Sequence, residues 1–209
     1  MEVVAVIDFE TTGLSAMNGD RATEIAAVLL RDGKVVDRYQ SLMNAGVRIP
    51  SFIEELTGIS NAMIRNARPA AAVMREVSEF VGDTPLVAHN ASFDAKFWDA
   101  ELARIQRSRR QEFACSLLLA RRLMPLAPSH KLGSLINYAN LPTAGRAHRA
   151  LADAEMAASL LAWLEDELRN RYQIREVSHD LLRKIQRVAK NKIADWLQRH
   201  QHQRTAVFC

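Results

Sequence analysis

The sequence predicts an α/β fold in which a mixed sheet is flanked by helices and a C-terminal helical extension closes the chain. Three observations lead there. Val3–Ile7 is an unbroken apolar run rich in β-branched residues, as expected of a central strand buried on both faces. Strand-like segments come first and then alternate with helical ones, the order of a layered α/β domain. From residue 116 onward the apolar spacing is helical throughout.

The elements follow in order. After Val3–Ile7, Thr12-Gly13 and Asn18-Gly19-Asp20 carry turn chemistry, and Glu24–Leu30 reads as a second strand. Asp32-Gly33 is a strong hairpin signal, and Val35–Leu42 follows as a third strand, so the first three form a meander. Pro50–Ile64 reads as short helical pieces broken at Gly58. Val73, Val77, Phe80 and Val81 recur at helical spacing after Pro69, with Gly82-Asp83 as the stop. Leu86-Val87-Ala88 is a short buried strand, Phe93, Phe97 and Leu102 mark an amphipathic helix, and Glu112–Cys115 reads as a fifth strand. Helices are expected over 116–124, 131–139, 149–171 and 178–200, with Pro125, Pro128 and Pro142 as punctuation.

Composition narrows the class. A chain of 209 residues, 48% apolar and 25% charged, suits one well-cored domain with an appendage. The composition break near 170–177 divides it into a body at 1–170 and a basic amphipathic tail at 171–209. No apolar run approaches the roughly 20 residues of a membrane span, and Met1–Val6 lacks the basic leader of a secretory signal. With Cys115 and Cys209 as its cysteines the chain implies no disulfide framework, and a reducing cytoplasm is the expected compartment.

Charge is unevenly spread. Residues 1–168 hold 18 Lys and Arg against 21 Asp and Glu, whereas residues 169–209 hold 10 against 3. Such a tail attracts a polyanion by counterion release, or it forms a solvated helix face. Leu182, Ile185, Val188, Ala189, Ile193, Trp196 and Leu197 fall at spacings of three and four, with Arg183, Lys184, Arg187, Lys190 and Lys192 mostly on other faces. That apolar stripe needs a cover: the body, a second copy of the chain, or a protein partner. The basic face is expected to guide single-stranded nucleic acid.

Carboxylates supply the candidate chemistry. Asp8 and Glu10 directly follow the buried run, and their i,i+2 spacing puts both on one face of a strand end. Paired like charges beside apolar surface favour a hard cation such as Mg²⁺ or Mn²⁺, although for an isolated D-x-E a strand that simply ends in water is the better account. Asp94 falls in the first turn of a helix, with Asn90 or Ser92 as candidate caps, and the helix dipole alone would favour an acid there. His148 and Asp153, five apart, do not share a helical face, so His148 belongs on the loop or first turn ahead of Asp153. A mobile imidazole near neutral pKa suits a general base; a capping or surface histidine is the alternative. A structural zinc site, a nucleophile elbow, a P-loop and a dinucleotide fingerprint are all missing from the sequence.

Together these segments resemble the DEDDh 3′→5′ exonuclease superfamily. Asp8-Phe9-Glu10-Thr11-Thr12-Gly13 is similar to its first motif, His89-Asn90-Ala91-Ser92-Phe93-Asp94 to its second, and His148-Arg149-Ala150-Leu151-Ala152-Asp153 to its third. Leu56-Thr57-Gly58-Ile59 matches an element common between the first two, and the likeness is nearest to the proofreading (epsilon) subunit of bacterial DNA polymerase III. Thr57 departs from that subunit, which carries a histidine there, and the basic tail departs from its polymerase-binding extension.

The resemblance implies an RNase H-like, five-stranded mixed sheet. It implies that Asp8, Glu10, Asp94 and Asp153 hold two divalent ions, Mg²⁺ or Mn²⁺, and that His148 is the base in a hydrolysis releasing nucleoside 5′-monophosphates. It further implies that Thr11, Thr12, Gly13 and Leu14 contact the terminal nucleotide, while Asn90, Ser92 and Phe93 line the strand's path, Phe93 being open also to a plain core role. The expected partner is nucleic acid offered as single-stranded 3′ ends, DNA favoured over RNA, with no membrane. An exoribonuclease with the same chemistry is the second reading and a non-catalytic nucleic-acid-binding module the third, and against the third all four carboxylates and the histidine are intact.

Overall fold

The computed structural model describes residues 2–143, 145 and 147–205, the last five by backbone alone. Cys209 and the His202 side chain lie outside the described residues. β1 (Val3–Thr11), β2 (Ala22–Arg31) and β3 (Lys34–Asn44) form the expected meander, and β1 and β2 extend past the apolar runs that announced them. Asp32 and Gly33, with φ of 55° and 72°, make the two-residue turn between β2 and β3; positive φ at both positions is the primed turn whose twist matches a hairpin.

Two short helices follow, α1 (Ser51–Thr57) and α2 (Asn61–Arg65), separated at Gly58, whose φ of 71° ends α1 in the left-handed region that glycine enters freely. Next come β4 (Arg68–Pro69), α3 (Ala70–Val81), β5 (Leu86–Ala88), α4 (Ala91–Arg104) and β6 (Phe113–Cys115). The helices α5 (Ser116–Leu123), α6 (Leu132–Tyr138), α7 (Ala150–Asn170), α8 (His179–Ile185) and α9 (Ile193–Thr205) complete the described chain.

The sheet order is β4-β3-β2-β1-β5-β6, antiparallel within the meander and parallel where β5 meets β1 and β6. It has six strands where five were expected; the addition is the two-residue β4, paired in parallel with the end of β3. Strand alternation sorts the core. Val4, Val6, Ala26, Val28 and Leu30 pack in one cluster with α7, whereas Ala5, Ile7, Phe9, Ile25 and Ala27 pack in another with α3 and α4. The register slips where Glu10 faces Glu24 but Thr11 faces Ala22, leaving Thr23 as the extra residue of a β-bulge. Ala22 therefore joins the opposite cluster from Ala26.

The tail differs from the continuous helix expected over 178–200. α8 stops at Ile185 and α9 starts at Ile193, with a 3-10 turn at Lys190–Lys192 between them. Tertiary bonds take the intervening polar groups. The Gln186 side chain accepts from the Cys115 N–H (2.7 Å) and donates to the Phe113 carbonyl (3.4 Å), pairing with edge strand β6, while Arg122 donates to the Val188 carbonyl (2.7 Å). The body covers the apolar stripe: Leu181, Leu182, Ile185, Ile193 and Leu197 are buried in the cluster that holds α7. No described helix is long and apolar enough to cross a membrane.

Candidate active site

Asp8 and Glu10 lie on the face of β1 that also carries Val4 and Val6, so both side chains point toward α7. β5 pairs with β1 only at Ala5 and Val6, which leaves the far end of β1 open on that side. α4 fills the gap: the Phe9 N–H donates to Asp94 Oδ1 at 3.3 Å, and Asp94 is 2% exposed. An acid in the first turn of α4 thus satisfies a strand N–H. Asn90, at the N-cap position with φ 71°, makes no side-chain cap, and neither does Ser92.

The third contributor is the start of α7. His148 precedes the helix with φ 60°, and its N–H donates to Asp153 Oδ2 at 3.0 Å. His148 is exposed and Asp153 half-buried. Glu10, His148 and Asp153 each offer a ligand atom, all within 4.8 Å of one another. Asp8 and Asp94 stand outside that group and adjoin it.

Glu24, read in the sequence only as the start of the second strand, is fully buried, and the Gln40 side chain on β3 donates to its Oε1 at 2.7 Å. It also reaches α7: Arg149 Nη2 donates to Oε1 at 2.8 Å, Arg149 Nε to Oε2 at 3.1 Å, and the Ala150 N–H to Oε2 at 3.1 Å. Arg149 is the N-cap residue and supplies no side-chain cap, so a carboxylate from β2 caps the helix in its place. Two signals in the sequence pointed here: a lone glutamate in the apolar run of β2, and a long helix with no Ser, Thr, Asp or Asn before it.

Burial and mutual repulsion shape the carboxylates. Burial pushes the Asp8 carboxyl well above the usual range, and Asp94, Asp153, Glu10 and Glu24 push it further. Glu10 is raised to about 8 by burial and by Asp153 and Glu24, with Arg149 opposing. Asp94 is also raised to about 8 by burial, against the backbone N–H groups of Asp94 and Phe9. Burial raises Asp153, and the N–H and charge of His148 oppose it. An all-oxygen acidic set held in this way fits a hard divalent cation, whose charge would return each carboxyl to its ionised form.

The remaining expected residues surround this cluster. Thr11 and Thr12 are buried; the Thr11 hydroxyl donates to the Gly13 carbonyl (2.6 Å) and Thr12 Oγ1 accepts from the Arg21 N–H (3.0 Å). Asp20, which sequence reading passed over as a turn residue, holds the loop by accepting from the Ser15 N–H (2.9 Å) and packing against Gly13. Leu14 stands 83% exposed at its tip. Asn90 and Ser92 are exposed, while Phe93 packs on Phe97 with ring centroids 4.9 Å apart and lies partly buried against the core. Thr57 is turned inward, donating to the Ile53 carbonyl and accepting from the Ile59 N–H.

An exonuclease family model, RNase_T, matches residues 5–161. The 3′-5′ exonuclease DinG of Bacillus subtilis (strain 168) is 34% identical over 194 residues, covering 91% of this chain and 20% of DinG. The chain therefore spans about a fifth of that relative. Among solved structures, exonuclease X in complex with 5′ overhanging duplex DNA is 26% identical with a TM-score of 0.70, covering 88% of this chain and 99% of the other. The nuclease domain of 3′hExo, a DEDDh family member bound to rAMP, shares the fold with a TM-score of 0.68 at 17% identity, covering 79% and 92%.

Proposed function

The chain belongs to the RNase_T exonuclease family, and from that premise we propose that it removes nucleoside 5′-monophosphates from the 3′ ends of single-stranded DNA. Asp8, Glu10, Asp94 and Asp153 would hold two divalent ions, Mg²⁺ or Mn²⁺, and His148 would serve as the general base. The supporting observation is the meeting of carboxylates from β1, α4 and α7 at one end of the sheet, where burial raises all four pKa values and neighbouring carboxylates add to it at Asp8, Glu10 and Asp153. Bound there, divalent ions supply activation of the attacking water and charge stabilisation of an in-line displacement.

The chain's own residues do the rest. His148, exposed beside Glu10 and Asp153, takes the proton of the attacking water. The 12–20 loop, held by Asp20, sets Thr11, Thr12 and Gly13 against the terminal nucleotide, and Leu14 wedges beside its base. Asn90, Ser92 and Phe93 border the strand, with the partly exposed Phe93 ring available to a base. Residues 1–170 form the catalytic body and 171–209 the extension. Arg183 and Lys184 pair with Glu112 and Asp180, so Arg187, Lys190 and Lys192 carry the basic face that attracts the phosphate backbone. The protein works in the reducing cytoplasm.

DNA is favoured over RNA by the likeness to exonuclease X on duplex DNA. The second reading, an exoribonuclease with the same chemistry, draws on 3′hExo, whose related fold holds rAMP. Digestion of matched single-stranded DNA and RNA oligonucleotides, each with Mg²⁺ and with Mn²⁺, tests the choice. Faster release from DNA supports the first reading, and faster release from RNA replaces it with the second.

A further inference from the structure

α7 carries Asp153 and begins two residues after His148, so its placement along the sheet sets where both stand relative to Asp8 and Glu10. Most of what holds α7 is apolar: Ala154, Ala157, Leu160, Leu161, Leu164 and Leu168 pack in the same cluster as β1 and β2. Such contacts are non-directional. They fix the distance between helix and sheet but do not by themselves orient the first turn of the helix.

Directional contacts also join α7 to the sheet: Arg38 of β3 pairs with Glu155, and at the first turn the contacts are those of Glu24. Its carboxylate, directly across from Glu10 in the β1–β2 register, takes the Arg149 guanidinium and the Ala150 N–H together, at 2.8 to 3.1 Å. Gln40 on β3 braces the same carboxylate from behind. We infer that the Glu24–Arg149 pair is a positioning clamp, which holds the first turn of α7 in axial register with β1 so that His148 and Asp153 stand beside Glu10. This inference rests on the exonuclease reading proposed above. Both are positioning residues: besides the charge they lend to Asp8 and Glu10, they act through His148 and Asp153.

The consequence is catalytic as well as structural, because a displacement of about 1 Å at a catalytic group costs on the order of 10²-fold in rate. The test uses the full chain with Glu24→Gln, Arg149→Met, the double variant Glu24→Gln/Arg149→Met, and Arg149→Lys. All are assayed at a temperature where circular dichroism shows every variant folded. The double variant removes both charges and leaves no unpaired buried ion. Three quantities are read: kcat, KM for a single-stranded oligonucleotide, and affinity for Mn²⁺ alone by calorimetry.

The clamp predicts kcat lower by roughly 10- to 100-fold in Glu24→Gln, Arg149→Met and the double variant, with KM within about twofold and Mn²⁺ affinity reduced. Arg149→Lys keeps the charge without the fork and falls between wild type and Arg149→Met. Folded variants with wild-type kcat and Mn²⁺ affinity overturn the clamp. An inactive wild-type protein overturns the exonuclease reading instead, and Mn²⁺ calorimetry on the same variants still decides the clamp.

Discussion

The Asp153 carboxylate accepts the backbone N–H of His148 at 3.0 Å, so the proposed ligand and the proposed base are tied through the main chain and not through the imidazole. Any residue but proline at 148 keeps that bond, so the ring can be removed without releasing Asp153.

His148→Asn is the cleanest form of that experiment, since asparagine tolerates the left-handed φ of 60° that alanine resists. The ring lies within 4.8 Å of Glu10 and Asp153 ligand atoms, near enough for either a base or a ligand. As a base it is dispensable for binding: Mn²⁺ affinity stays at wild-type level and kcat falls about 10²- to 10⁴-fold. Affinity lost in parallel with turnover makes His148 a ligand.

Asp94→Asn separates charge from hydrogen bonding. The amide oxygen still accepts the Phe9 N–H, while the charge that raises Asp8 is gone. The variant is expected to melt a few degrees higher than wild type without metal at pH 8, on the scale of about 1 kcal/mol per roughly 2–4 °C. It is also expected to lose at least about 100-fold in turnover, the scale of one removed catalytic electrostatic contact. Wild-type turnover would remove Asp94 from the machinery.

The carboxylates also set a pH dependence of stability. Glu10 and Asp94 titrate near 8 in the fold, against ordinary values of 4.5 and 3.8. Groups raised on folding stabilise the protein fully below their ordinary pKa, and that stability is lost as pH rises through the raised value. The melting temperature of chelated protein should therefore fall between pH 5 and about 8.5. Saturating Mn²⁺ should raise it by an amount that grows over the same window. A flat profile, with a lift independent of pH, argues against a cation-neutralised cluster.

Gly13→Ala tests the loop beside the cluster. A Cβ at Gly13 would lie 2.5 Å from both Asp20 carboxylate oxygens, so the Asp20 brace must open. KM for an oligonucleotide is expected to rise about tenfold, a 1.4 kcal/mol effect on binding, with a lower melting temperature. Leu14→Ala, at an exposed tip, should raise KM while changing stability by less than about 0.5 kcal/mol. Equal melting temperatures and unchanged KM in both variants would detach this loop from substrate.

Much of this was legible in the sequence because periodicity and turn chemistry are local. The i,i+2 pair Asp8 and Glu10 shares a face as strand geometry requires, Asp32-Gly33 makes its turn, and the five-residue gap does put His148 ahead of the helix that bears Asp153. What escaped notice depends on long-range pairing. Glu24 bonds to Arg149, 125 residues away in the chain; a glutamate in an apolar strand and a helix start without a capping residue flag the two ends, but nothing local pairs them. The continuous helix expected over 178–200 failed for the same reason, since Gln186 and Val188 give their polar groups to β6 and Arg122. The two-residue β4 is too short to leave any periodicity.

The central claim is hydrolysis from the 3′ end by the carboxylate cluster, and a time course on 5′-labelled single-stranded DNA with Mg²⁺ tests it most directly. The expected result is a ladder shortening one nucleotide at a time, absent with chelator and with Asp8→Ala. A labelled mononucleotide as the first product, or a ladder that persists in Asp8→Ala, would contradict it.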